Sequence, residues 1–214
     1  MTESELTALL RQITPPDAAA MDSARRRQAE LAKPPGSLGK LEDYAVRLAG
    51  ITGKDRPTMA KCRILVFAAD NGVVAEGVSS APPSVTLAQA INMTRHITGM
   101  SAMAQHFGDE IRVTDVGIDT DRHFPGILDR KIRRATGNIA REPALTRQQA
   151  LDALAVGVAL AREAAEDGVT AVGIGEMGIG NTTTSAAVLA ALTGSPVEAV
   201  SGRGGGLTDA GFAR

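Results

Sequence analysis

Short apolar runs that lead into loops of polar residues and glycine constrain this chain more than any other feature. "KCRILVFAAD" ends in Asp70-Asn71-Gly72, "VTAVGIG" leads into "GEMGIGNTTT", and "VEAVSG" leads into "SGRGGGLTD". With "EIRVTDVGI" they predict four strands, near 62–68, 111–117, 169–174 and 197–201. Helical patterns separate them: 84–107, broken near Gly99, then 146–167, then 181–193. Thr146 is placed to cap the second of these, with Leu151, Leu154, Val158 and Ala161 along one face. Residues 118–145 read as polar and irregular. Apolar strands alternating with helices predict an α/β fold with a parallel sheet covered on both faces. In such sheets a ligand sits at the carboxyl ends of the strands, where these loops lie.

Upstream, residues 3–12 and about 16–32 read as helices parted by Pro15 and Pro16. Pro34, Pro35 and Gly36 break the chain, and Ser37 is placed to cap a further helix carrying Leu38, Leu41, Ala45 and Leu48. The expected division is a helical annex and linker over 1–55 and an α/β domain over 56–214. Downstream, Thr208-Asp209 opens a helix that has only "AGFAR" to run, so the chain reads as cut at a helix start.

Composition removes several function classes. Aromatic residues make up 2% of the 214, with no Trp, so there is no stacking platform for single-stranded nucleic acid. A net charge of −1 leaves no basic footprint for nucleic acid or an acidic membrane. No apolar run reaches membrane-spanning length, and "MTESELTALLRQITPPD" is no signal peptide, so a cytoplasmic protein is expected. The lone Cys62 reads as a buried thiol. His96, His106 and His123 show no metal-ligand spacing, and no Ser-His-Asp arrangement is visible.

The stretch 171–192 fits two phosphate-loop patterns imperfectly. Gly173, Gly175 and Gly178 spell G-x-G-x-x-G, but the acid about 20 residues on, Glu198, opens the fourth run instead of ending it. Gly175, Gly180, Asn181 and Thr182 spell a P-loop with asparagine in place of lysine, which disfavours a nucleoside triphosphate. What remains suits a single phosphate: backbone N–H groups, a helix start at Asn181, and the hydroxyls of Thr182, Thr183 and Thr184. The loop Ser201–Gly206 adds Arg203 among four glycines, so two loops can grip one phosphate. Glu176, an anion within the first loop, fits a monophosphate that also offers ribose hydroxyls or a cationic ring.

"KPPGSLGKLE", "FAADNGVVAEGVSSAPPSVT", "GIGEMGIGNTTTSAA" and "SGRGGGLTDAG" resemble, in this order, the nicotinate-nucleotide–dimethylbenzimidazole phosphoribosyltransferases of cobalamin nucleotide-loop assembly. The resemblance implies a Rossmann-like parallel sheet with helices on both faces, a small helical annex built from both chain ends, and a homodimer. It implies transfer of phosphoribose from nicotinate mononucleotide to a benzimidazole, without metal or cofactor. Gly178, Gly180, Asn181, Thr182 and Thr183 match the first phosphate loop of such enzymes, and Gly202, Arg203, Gly204, Gly205 and Gly206 the second. Glu176 matches a functional glutamate and is the candidate catalytic residue. Asn71, Ser80, Gln89 and Met177 fall in segments facing the base.

The chain departs from that pattern in places. Asn71 stands where many such enzymes carry histidine, and Gly205 where many carry threonine. The glutamate that serves them as general base, and a lysine past the second loop, have no counterpart in residues 1–214, which implies a C-terminally shortened chain. Two other readings stand beside the enzyme: a module that holds the mononucleotide without turnover, and a transferase of the same fold acting on another base.

Overall fold

The computed structural model describes residues 1–213. The chain divides into two compact units, Thr2–Ala60 and Lys61–Arg214 together with Met1. The smaller holds α1 (Glu3–Leu10), α2 (Ala18–Glu30) and α3 (Lys40–Thr52). Its core is small: Ala24 of α2 against Val46 and Ala49 of α3, with Met21 packed alongside.

The larger unit runs β1 (Cys62–Ala69), α4 (Ser84–Thr94), α5 (Gly99–Phe107), β2 (Glu110–Gly117), β3 (Ile127–Asp129), α6 (Arg147–Glu166), β4 (Ala171–Met177), α7 (Asn181–Thr193), α8 (Val197–Val200) and α9 (Asp209–Ala213). A 3-10 turn covers Gly72–Glu76. The four strands pair in the order β3-β2-β1-β4, every pair parallel. Parallel neighbours need long crossovers, which the helices supply. The chain leaves β1 toward β2 and β3 and later returns to β1's other side with β4. The order therefore reverses between β1 and β4, and in open α/β sheets that switch point is where ligands bind. Ala68 of β1, Val113 of β2, Ile118 just past it and Ala90 of α4 form a buried core, with Leu87, Met93 and Met177 packed on it.

Several expectations from the sequence need correction. "VEAVSG" is not a strand: 197–200 form the one-turn helix α8. Pro196 precedes it, and the Ala199 and Ser201 N–H groups bond back to Pro196 and Val197, closing turns where a strand would need a sheet neighbour. The third strand runs on to Met177, so Glu176 lies on β4, opposite Phe67, and not in the loop. Ser37 does not cap α3. Residues 34–39 make successive tight turns, the N-cap is Gly39, and Glu42 reaches back to accept the Leu38 N–H at 3.1 Å. The buried face of α3 is Val46, Ala49 and Gly50, while Leu38 and Leu41 stay exposed. On α6 the buried residues are Leu151, Leu160 and Ala164, and Leu154 is exposed. Residues 118–145 hold the short strand β3. Beyond it, Arg130, Ile132, Ala135 and Thr136 donate backbone bonds to Asp115, Val116, Gly117 and Asp70, so an apparently irregular segment is fastened along the strand ends.

The sheet is parallel and carries helices as expected, while one face of β4 lies open. Val172 and Ile174 point to one face and are 43% and 82% exposed. Helix α7 buries no residue at all, with Val188, Leu189 and Leu192 exposed. β4 is also an edge strand, so among the described residues its outer backbone groups have no ladder partner. This apolar surface is expected to drive self-association. Ile174→Lys should reduce the mass seen in sedimentation velocity. A monomer at high concentration before any substitution would contradict this.

At the amino ends of the strands Arg63 is buried within a fan of acids. It pairs with Glu110 at 2.6 Å and Asp167 at 2.7 Å, with Glu163 at 3.9 Å. The hydrogen bond from Arg63 holds the carboxyls of Glu110 and Asp167 below their ordinary range. Carboxyls so depressed add stability above their unfolded-state values, about 4, and lose it as pH falls through the lower folded values. Arg63→Met is expected to lower the thermal midpoint at neutral pH and to flatten its fall below about pH 4. An equally steep acid fall in the variant, read by scanning calorimetry, would show that these pairs carry none of it.

Candidate functional site

The loops singled out in the sequence come together at the switch point. β1 delivers Asp70-Asn71-Gly72 and β4 delivers Gly178-Ile179-Gly180, side by side. The approach is close enough to dictate residue type. A β-carbon on Gly178 would lie 2.3 Å from the Ala69 carbonyl oxygen, so only glycine lets the turn sit against the end of β1. Gly180 is the N-cap of α7 at φ 85°, a left-handed conformation that costs other residues, and a β-carbon there would also meet Val74 Cγ2 at 2.7 Å. No side chain caps α7, so its first turn keeps its positive end for a ligand.

The second glycine loop closes on the first. Thr182 Oγ1 stands 2.6 Å from where a β-carbon on Gly204 would be. Ser80 Oγ donates to the Gly205 carbonyl at 3.3 Å. A β-carbon added at Gly205 would meet only Ser80 Oγ, at 4.0 Å, so the backbone there leaves room for a side chain. Residues 203–207 form a turn, with the N–H groups of Gly206 and Leu207 bonded to the Arg203 carbonyl. Gly202 to Gly206 are all exposed.

The charged groups are already engaged. Glu176 accepts from the side-chain amide of Asn181 at 2.6 Å, so its carboxylate rests beside the start of α7. Arg203 pairs with Asp209 in the first turn of α9. Asn71 is half-buried. Its amide donates to the Ile179 carbonyl at 3.0 Å, and its oxygen faces Thr184 Oγ1 at 3.5 Å. Gln89 bonds along its own helix, accepting from Asn92, and Met177 packs on the core. Thr183 is half-buried in the first turn of α7.

Sequence reasoning missed two contributors. Thr86, fully buried on α4, accepts the Ile179 N–H at 3.0 Å. Thr136 accepts the Gly72 N–H at 3.1 Å. Neither lies in a glycine-rich stretch, and their partners are 93 and 64 positions away, so no local pattern marks them. Among the described residues no group of His, Cys, Asp and Glu is arranged to hold a metal ion, and no helix is long and apolar enough to cross a membrane.

A family model described as phosphoribosyltransferase matches residues 13–214. The nicotinate-nucleotide–dimethylbenzimidazole phosphoribosyltransferase of Acetivibrio thermocellus is 49% identical over 88% of this chain and 54% of its own length. The protein of the same name from Geobacter sulfurreducens is 47% identical over 95% of this chain and 58% of its own. The crystal structure of CobT from Thermus thermophilus superposes with a TM-score of 0.87 at 42% identity, covering 91% of this chain and 59% of that one. The chain thus spans a little over half the length of the relatives it matches. With the model matched over nearly all of its residues, the chain belongs to the phosphoribosyltransferase family.

Proposed function

We propose that this chain forms the mononucleotide-binding part of an enzyme that transfers phosphoribose from nicotinate mononucleotide to 5,6-dimethylbenzimidazole or a related base. The products are α-ribazole 5′-phosphate and nicotinate. The observation that carries the reading is the meeting of two glycine loops, Thr182 against Gly204, at the positive end of α7. The names of the relatives agree with it.

In this reading Gly178, Gly180, Asn181, Thr182 and Thr183 on one side, and Gly202 to Gly206 with Arg203 on the other, hold the 5′-phosphate. Glu176 faces the ribose, and Asn71, Ser80, Gln89 and Met177 border the base. The benzimidazole nitrogen attacks the ribose C1′ as the bond from C1′ to the pyridinium nitrogen breaks. The bonding pair goes to that nitrogen and cancels its charge, so the leaving group needs little help from an acid. Attack from the opposite face inverts the β configuration to α. The attacking atom is the ring nitrogen that carries no hydrogen, and as its bond to C1′ forms the proton on the other ring nitrogen passes to a base, which general catalysis makes worth about 10²–10⁴-fold. The remainder of the work is holding two flat rings on either side of one ribose. A homodimer in the cytoplasm belongs to the same reading. The exposed apolar surface of β4 and α7 supports the former, and a single cysteine, which can form no internal disulfide, supports the latter.

Two measurements test it. Calorimetric titration with nicotinate mononucleotide should show binding that Gly180→Val weakens about 5- to 30-fold, because the free loop leaves the left-handed conformation to escape a strain of about 1–2 kcal/mol that the bound loop must accept. Unchanged affinity would reduce the loop to a mere turn. Turnover by these 214 residues is expected to be at least about 10²-fold slower than by a version extended to the length of the relatives. Equal rates would place the base within residues 1–214, with Glu176→Gln the next variant to assay.

A further inference from the structure

We propose that Thr86 and Asn71 are positioning residues that pre-form the 178–180 turn before any ligand arrives, by holding both backbone groups of Ile179. The proposal rests on the reading of that turn as a phosphate loop. The Ile179 N–H donates to Thr86 Oγ1 at 3.0 Å, and the Ile179 carbonyl accepts from Asn71 Nδ2 at 3.0 Å. The two bonds fix the peptide planes on either side of one residue, so they pin the torsions that aim the turn at the start of α7.

The two holders come from different places, which is what makes the clamp rigid. Thr86 sits in the first turn of α4, a helix that touches all four strands. It is 0% exposed, so water cannot take over its hydroxyl's role. Asn71 lies two residues past the end of β1. Its amide nitrogen, the only donor the side chain carries, faces the Ile179 carbonyl. The sheet and the helix packed on it thus hold one loop residue from two sides. A loop that is already ordered loses less freedom on binding than one that must be ordered by its ligand.

A threonine that merely fills space makes different predictions from one that holds an N–H group. Thr86→Val keeps the shape and removes the hydroxyl, while Thr86→Ser keeps the hydroxyl and removes a methyl group. Amide hydrogen exchange, read by NMR on the ligand-free chain, tells them apart. In the unsubstituted chain Ile179 should exchange at least about 10²-fold slower than an unstructured amide. Thr86→Val should speed it at least about tenfold while Val66, at the centre of β1, keeps its rate. Thr86→Ser should remain close to the unsubstituted chain. The proposal is overturned by an unprotected Ile179, by an unchanged rate in Thr86→Val, or by Thr86→Ser behaving like Thr86→Val. Should Thr86→Val fail to fold, Asn71→Ala, at a half-buried position, takes its place with the same expected rise and the same overturning outcome. Titration of the chain with nicotinate mononucleotide, run beside the exchange experiment, separates the two claims. Absence of binding sinks the functional reading, whereas Ile179 exchange alone decides the clamp.

Discussion

Parallel pairing of β1 with β4, on the side away from β2, is the constraint on which the rest depends. Because both strands run the same way, their carboxyl ends arrive together, Phe67 opposite Glu176 and Ala68 opposite Met177. Every loop of chemical interest must then emerge at one edge of the sheet. The ionic fan around Arg63 lies at the other edge, where β1, β2 and the end of α6 begin or finish. One end of the sheet is therefore pinned by charge, and the other is built from short polar turns whose geometry comes from backbone contact. On the proposed function, substitutions at the two ends should separate cleanly, those near Arg63 altering stability and those near Ile179 altering recognition.

Glycine and hydrogen bonding divide the work at the loop end. Gly178 permits contact with the Ala69 carbonyl, and Gly180 supplies the left-handed step into α7. Neither glycine can fix a conformation, since freedom is what glycine contributes. Fixing falls to side chains from elsewhere: Asn71, Thr86 and, on the neighbouring loop, Ser80 at the Gly205 carbonyl. A turn that is flexible by composition is thereby made definite by its surroundings.

Much of this was legible in the sequence because it is local. Three of the four strands and the helices at 84–107, 146–167 and 181–193 follow from apolar runs and spacing, and Thr146 caps α6 as its position suggests. The errors have physical reasons. "VEAV" carries strand-like residues, yet Pro196 and the lack of a sheet neighbour turn it into a helical turn. Ser37 has the chemistry of a cap, but two glycines with positive φ delay α3 past it. Glu176 reads as part of a glycine loop because β4 itself contains Gly173 and Gly175, residues that weaken a strand signal. Thr86 and Thr136 could not be found by spacing, since what they do depends on partners that only the fold brings near.

The resting loops supply their own counter-charges. Asn181 already donates to a carboxylate, that of Glu176, and the Arg203 guanidinium already has an acid, Asp209. On the proposed function, a phosphate that enters between these loops meets a first turn of α7 that no side chain caps, but an Asn181 amide and an Arg203 guanidinium that are already paired. It takes them over from internal acceptors, and Glu176 and Asp209 must turn to other partners, such as the hydroxyls of an attached sugar or water. Binding is then an exchange of acceptors and not a simple addition. On the proposed function, an anion that brings nothing for the displaced carboxylates to bond is at a disadvantage against one that does, as bare phosphate is against a phosphorylated sugar.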